Sequence, residues 1–185
     1  MAYNEALNRA WNRVTSLTDK KAFNIRLLSE SYSIDLSNIT VKRSSDNTPA
    51  KDYANIILLH YLAKRLELKM LPEPTGEWIN FTQLEGGEAY YPVFKKRVID
   101  MLVKKYGFDP DALLKKVKGL NSKKAAAGDV GIIIDAMDKV PVMITMWRPD
   151  EELGPSANIL FDRTIKEIFC TEDIVVLSEM LAHSV

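Results

Sequence analysis

Residues 130–147 read VGIIIDAMDKVPVMITMW. Val130 to Ile134 and Val142 to Trp147 are rich in β-branched and large apolar residues, which suit a pleated, half-buried surface, and Asp135, Asp138 and Pro141 interrupt the run between them. Two strands are therefore predicted here. Moving outward toward the C-terminus, Ile159 to Phe161 reads as a further short strand. Thr171 then suits an N-cap, and Glu172 and Asp173 suit a first turn where carboxylates favour the helix dipole, so Ile174, Leu177 and Leu181 define a C-terminal helix.

Upstream, Ser122, Lys123, Lys124 and Ala125 to Ala127 form a short low-complexity stretch that reads as a loop or a frayed helix end. Asp109 and Pro110 are an N-cap and first-turn pair for a short helix from Pro110 to Lys118, ended by Gly119. Tyr91, Phe94, Val98, Met101 and Leu102 share one helical face, with the lysines around them left mostly in water. Trp78, Ile79 and Phe81 suggest a short strand between Pro72, Pro74 and Gly76 on one side and Gly86 with Gly87 on the other. Asp52 to Leu68 is a helix apolar on nearly all sides in its middle, which places it inside the fold. Before it, Phe23, Ile25 and Leu27, then Tyr32, Ile34 and Leu36, alternate with polar residues and predict two strands joined by a turn at Ser29 to Ser31; Ile39 and Val41 continue or pair with them. Leu7, Trp11, Val14 and Leu17 mark an amphipathic N-terminal helix.

Helices and strands fall in clusters and do not alternate strictly, which favours an α+β fold with a mostly antiparallel sheet and about five helices over a parallel doubly wound one. The 185 residues suit a single domain, 1–185: a helix and hairpin in 1–45, a helical middle in 52–120, and strands with a final helix in 129–182. No linker is long enough to demand two domains. Charged residues throughout the first thirty positions leave no signal-peptide core, and no apolar run approaches the roughly 20 residues of a membrane helix, so a cytoplasmic, non-membrane protein is expected. The single Cys170 fits a reducing compartment.

The 25 Lys and Arg balance 25 Asp and Glu, which argues against a protein held mainly by nucleic-acid phosphates. The distribution is uneven: ten Lys or Arg against three Asp lie between Lys95 and Lys124, and ten Asp or Glu against four Lys or Arg between Asp129 and Asp173. Within that second segment the candidate site residues are Asp129, Trp147, Asp150, Glu151, Glu152 and Asp162. Clustered carboxylates suit a hard divalent cation or an acid and base pair, although their spacing matches no EF-hand loop. The alternative is an exposed turn whose carboxylates pair with Arg148 and Arg163. One Cys and two His supply no zinc or iron–sulfur ligand set, no phosphate-loop or nucleophile-elbow motif is present, and no metal site is assigned.

The run from Val140 to Trp147, then Asp150 to Glu152, Ser156 to Asp162, and Glu172 with Asp173, resembles the family called Domain of Unknown Function 3786. Ile57 to Leu62 and Gly76 to Phe81 with Gly86 and Gly87 are similar to the same family, so the resemblance extends from about Asp52 onward. It departs at Arg148 and Pro149, where a Gly is common before the acidic residue. The family has no established activity. Its members occur largely in anaerobes, and some resemble fusions to iron–sulfur domains of the kind found with corrinoid proteins. The resemblance therefore implies an accessory or binding module that docks on a redox or corrinoid protein partner. The alternative from the residues is a small ligand-binding domain or enzyme with an acidic, cation-binding cleft.

Overall fold

The two strands anticipated around residues 130–147 form the middle of a five-stranded antiparallel sheet. The computed structural model describes residues 2–185, with side chains from Asn4 onward. It divides into two compact units, Met1–Pro72 and Glu73–Val185. Each combines helices with an antiparallel sheet, so the α+β class expected from the clustering of elements is what the chain adopts.

In the first unit, α1 (Ala2–Ser16) packs against α2 (Asp52–Leu68), and β1 (Ala22–Leu27), β2 (Glu30–Asp35) and β3 (Thr40–Arg43) form a sheet in the order β1-β2-β3. Ala10, Trp11 and Val14 are the buried stripe of α1, whereas α2 buries Ile57, Leu58, Leu59, Tyr61 and Leu62 on several sides. That all-round burial is what its near-continuous apolar run requires. Arg13 donates Nε and Nη2 to the two carboxylate oxygens of Glu67, at 2.7 and 2.8 Å, and so ties α1 to α2. In the sheet, Ile25 faces Tyr32 and Ile34 faces Val41, which puts these apolar side chains on one buried face. The turn lies one residue earlier than its polar sequence suggests, because Leu27 pairs with Glu30. Leu28 takes the left-handed conformation with φ 56° and is buried.

In the second unit, β4 (Trp78–Asn80), β5 (Ser122–Ala125), β6 (Val130–Met137), β7 (Val140–Trp147) and β8 (Ser156–Asp162) are ordered β4-β8-β7-β6-β5. Ile132 faces Ile144 and Ile144 faces Ile159; Ile134 faces Val142, which faces Phe161. All are buried, so one face of the sheet is a continuous apolar layer. Against β8 lie α4 (Asp100–Tyr106) and the turns on either side of α3 (Gly87–Phe94): a 3₁₀ turn at Phe81–Gln83 and a π turn at Lys95–Ile99. The amphipathic stretch around Tyr91 to Leu102 is thus helical but divided by the π turn, which shifts the buried stripe to Val98, Ile99 and Leu102. Phe94 stacks on Phe81 with centroids 4.0 Å apart and meets Phe161 edge-on at 6.4 Å.

Three local expectations are corrected. Residues 122–125 are the edge strand β5, not a loop or helix end, since Ser122 to Ala125 pair with Ile134 to Gly131. An edge strand with lysines in water carries little hydrophobic alternation, so the backbone ladder alone defines it. Helix α5 (Asp111–Lys116) has Pro110 at its N-cap and no side-chain cap; the Ala112 N–H donates to the Asp109 backbone carbonyl, not to its carboxylate. The N-cap of α7 (Thr171–Ser184) is Cys170, and the Thr171 hydroxyl instead donates to the Glu85 carbonyl at 2.7 Å. A four-residue helix, α6 (Ile165–Ile168), precedes it.

Thr145, in the middle of β7, is 1% exposed and its hydroxyl has no hydrogen-bond partner among the described residues. Thr145→Val keeps the shape and removes a desolvated polar group, so it is expected to stabilise the protein by about 1 kcal/mol. Calorimetry then reads a melting temperature higher by about 2–4 °C, and a lower one would show that the hydroxyl is satisfied.

Candidate functional site

The antiparallel pairing of β7 with β8 decides which candidate residues share a location. Trp147 faces Ser156, at the start of β8, whereas Asp162 closes β8 and faces Trp78 of β4. The six steps from Ser156 to Asp162 span about 20 Å of extended chain. Asp162 is therefore removed along β8 from the end of β7 where Trp147 lies. Among the described residues, no three His, Cys, Asp or Glu side chains are grouped so as to hold a metal ion.

Asp162 is 1% exposed and serves a different purpose. Its Oδ2 accepts the Gly76 N–H at 2.6 Å, and its Oδ1 accepts the Thr164 N–H at 3.1 Å and the Thr164 hydroxyl at 2.8 Å. The Thr75 hydroxyl adds a longer contact at 3.3 Å. Burial alone pushes a carboxyl pKa up, but these donors from Thr164, Gly76 and Thr75 outweigh it and hold Asp162 below its ordinary value. The carboxylate ties the Thr75–Gly76 turn to the end of β8. Arg163, beside it, pairs with Glu77 and not with the acidic loop.

The remaining five residues, Asp129, Trp147, Asp150, Glu151 and Glu152, lie at the other end of β7 and in the loop that follows it. Gly128 makes the turn into β6 with φ +63°, and a Cβ there would come within 2.7 Å of the Met146 carbonyl. The turn sets Asp129 so that its carboxylate accepts the Arg148 N–H at 2.7 Å. The Arg148 guanidinium reaches across to Asp111, at the start of α5, with Nη2 to Oδ2 of 2.7 Å. Asp150 closes the loop on itself: its Oδ1 accepts the N–H groups of Leu153 at 2.7 Å and Glu152 at 2.9 Å, and these hold its pKa below the usual value. Pro155 then sits against Gly107, where an added Cβ would lie 2.8 Å from the proline Cβ.

These contacts bring the loop 148–155 beside the segment 107–111, and three large apolar side chains in the two segments and at the end of β7 are left in water. Phe108 is 83% exposed, Leu153 69% and Trp147 40%. Asp109, Asp111, Asp129, Asp150, Glu151 and Glu152, in or beside the same segments, are all exposed, and Arg148 pairs with Asp111 among them. The joined segments thus form a patch of surface that carries both exposed apolar side chains and carboxylates. Phe108, Leu153, Asp109 and Asp111 were not singled out from the sequence as site residues. The available signal was Phe108 itself, an aromatic between Gly107 and Asp109-Pro110, which falls outside any helical apolar stripe.

Among the described residues, no helix is long and apolar enough to cross a membrane. No curated protein and no solved structure matches the chain. Residues 6–184 match the family described as Domain of unknown function (DUF3786), and with nearly its whole length covered the chain belongs to that family.

Proposed function

We propose that the protein is a cytoplasmic accessory module that docks a partner protein through the patch around Phe108, Trp147 and Leu153. The single observation behind this reading is that Phe108, Trp147 and Leu153 each stand exposed in or beside two segments that the Arg148–Asp111 and Gly107–Pro155 contacts join, with exposed carboxylates among them. Isolated exposed apolar residues are ordinary, but a gathered group with aromatic members is the composition of an interface centre. The carboxylates set the chemistry of the partner: a basic segment carrying apolar anchors of its own. Opposite charge across the interface speeds encounter and selects against acidic surfaces. The partner class that the family resemblance implies is a redox or corrinoid protein.

Anaerobic affinity capture from the source cells, with mass-spectrometric identification, tests this directly when paired with a Phe108→Ala, Trp147→Ala variant. The wild type is expected to retain a defined partner, and the variant to lose it, with each aromatic contributing about 2 kcal/mol or more to the affinity. Binding should weaken as salt rises from about 0.05 to 0.5 M, because these carboxylates are exposed and screened. Equal capture by both forms would remove the patch from the interaction.

The second reading, a ligand-binding domain or enzyme with a cation in an acidic cleft, would draw on Asp129 and Asp150. Both already accept backbone N–H groups, from Arg148 and from Glu152 and Leu153, which occupies part of their coordinating capacity. The docking reading uses the same residues as surface charge, where those bonds fix the loop and cost nothing in function.

A further inference from the structure

Lys118, Lys123 and Lys124, at the end of the basic stretch that begins at Lys95, have no part in the patch, and they border a cavity of about 290 Å³ at the sheet edge beyond the far end of α5. Leu114, Val117, Leu120 and Ile132 give the cavity apolar lining, and Lys118, Lys123 and Lys124 line it beside them. No carboxylate lines it. We propose that this cavity binds a small anionic amphiphile: one acid headgroup held by Lys118 and Lys124, and a short apolar body against the apolar lining.

Three features carry the inference. The lysines come from different elements, Lys118 from the 3₁₀ turn Val117–Gly119 and Lys123 and Lys124 from β5. Lysines on an edge strand serve by themselves to discourage sheet-to-sheet pairing, but that role does not call for Lys118 at the same cavity. Next, Lys124 faces Ile132 across the ladder, so it shares the face of the sheet whose apolar layer supplies Ile132 to the lining. An acid bound there keeps its headgroup at the water boundary while its chain covers apolar surface, the division of labour that long amphipathic side chains show. Last, the volume sits at the small end of ligand sites, which selects a short chain over a drug-sized molecule.

Octanoate is the probe, with octanamide and octylammonium as neutral and cationic controls of equal chain length. Titration is followed by backbone amide and methyl NMR. Octanoate is expected to saturate with shifts confined to the residues around Leu114 to Lys124 and Ile132, and both controls to bind at least about tenfold more weakly. Lys118→Gln with Lys124→Gln, both exposed and so without consequence for folding, is expected to weaken octanoate by about tenfold at unchanged melting temperature. Trp147→Ala is expected to leave it unchanged, which separates this site from the docking patch. Octanamide binding as tightly as octanoate, shifts scattered beyond the cavity, or full affinity in the double variant would each overturn the proposal.

Discussion

Asp162→Ala is expected to cost about 3–4 kcal/mol of stability, a large share of the roughly 5–15 kcal/mol available to a folded domain. The loss has two parts. Hydrogen bonds to an ionised acceptor are stronger than neutral ones, and Asp162 accepts three within 3.1 Å: the Gly76 N–H, the Thr164 N–H and the Thr164 hydroxyl. Removing the carboxylate also strands these donors, of which those of Thr164 lie in a buried residue, so the desolvation already incurred is left uncompensated. Asp162→Asn keeps the shape but points an amide donor at donors, and is expected to recover only part of the loss. The pH dependence follows from the direction of the shift. Folding lowers the pKa, so the ionised form is the one that folding favours. Its contribution is complete above the unfolded value near 4 and is lost as pH falls through the lower folded value. Urea denaturation at pH 7 should show a wide gap between wild type and Asp162→Asn, and at pH 3 a narrower one. A gap of the same width at both would show that the charge of Asp162 contributes nothing.

The same residue shows where sequence reading stops. Asp162 and Asp150 are twelve positions apart, and closeness along the chain suggested one acidic cleft. An extended strand lies between them, and a strand carries its ends apart by about 3.3 Å per residue. Proximity in sequence becomes proximity in space only across a turn, as at Gly128, which returns the chain so that Asp129 meets Arg148. The legible elements were those whose pattern is set by burial. Helix α2 was readable to the residue because its apolar run is long and bounded by a turn-rich segment before it. Strands β6 and β7 were readable because β-branched and other large apolar residues run through both. Strand β5 was not, since its Lys123 and Lys124 stay in water and its structure comes from pairing with β6, a partner that its own residues do not specify. The patch was half legible for a related reason. Its acidic residues and Trp147 adjoin in sequence, but Phe108 and Asp111 reach it through the Arg148–Asp111 and Gly107–Pro155 contacts, across some forty residues.

Phe94→Ala is expected to be the most damaging apolar substitution in the second unit, at about 3–5 kcal/mol. Phe94 is fully buried, stacks on Phe81 with ring planes 7° apart, and meets Phe161 at 62°. These three rings join the end of α3, the turn after β4 and the strand β8, so one deletion leaves a cavity bordered by three elements. Neighbouring backbone has little freedom to close it, because Gly87, where α3 begins, already lies against the Phe81 carbonyl with no room for a Cβ. Tyr90, on the same helix but 46% exposed, is the matched control, and Tyr90→Ala is expected to cost under about 0.5 kcal/mol. Phe161 belongs to the end of β8 that pairs with β4, whereas the docking patch adjoins the Ser156 end. Phe94→Ala is therefore expected to lower the urea midpoint sharply while leaving partner affinity unchanged at temperatures where the variant is folded. Phe108→Ala is expected to do the reverse, since a side chain 83% exposed contributes little to folding. If Phe94→Ala weakened partner binding as much as Phe108→Ala in fully folded protein, the patch would be one end of a larger interface that includes the aromatic core. If both variants bound normally, the exposed rings would have no part in docking.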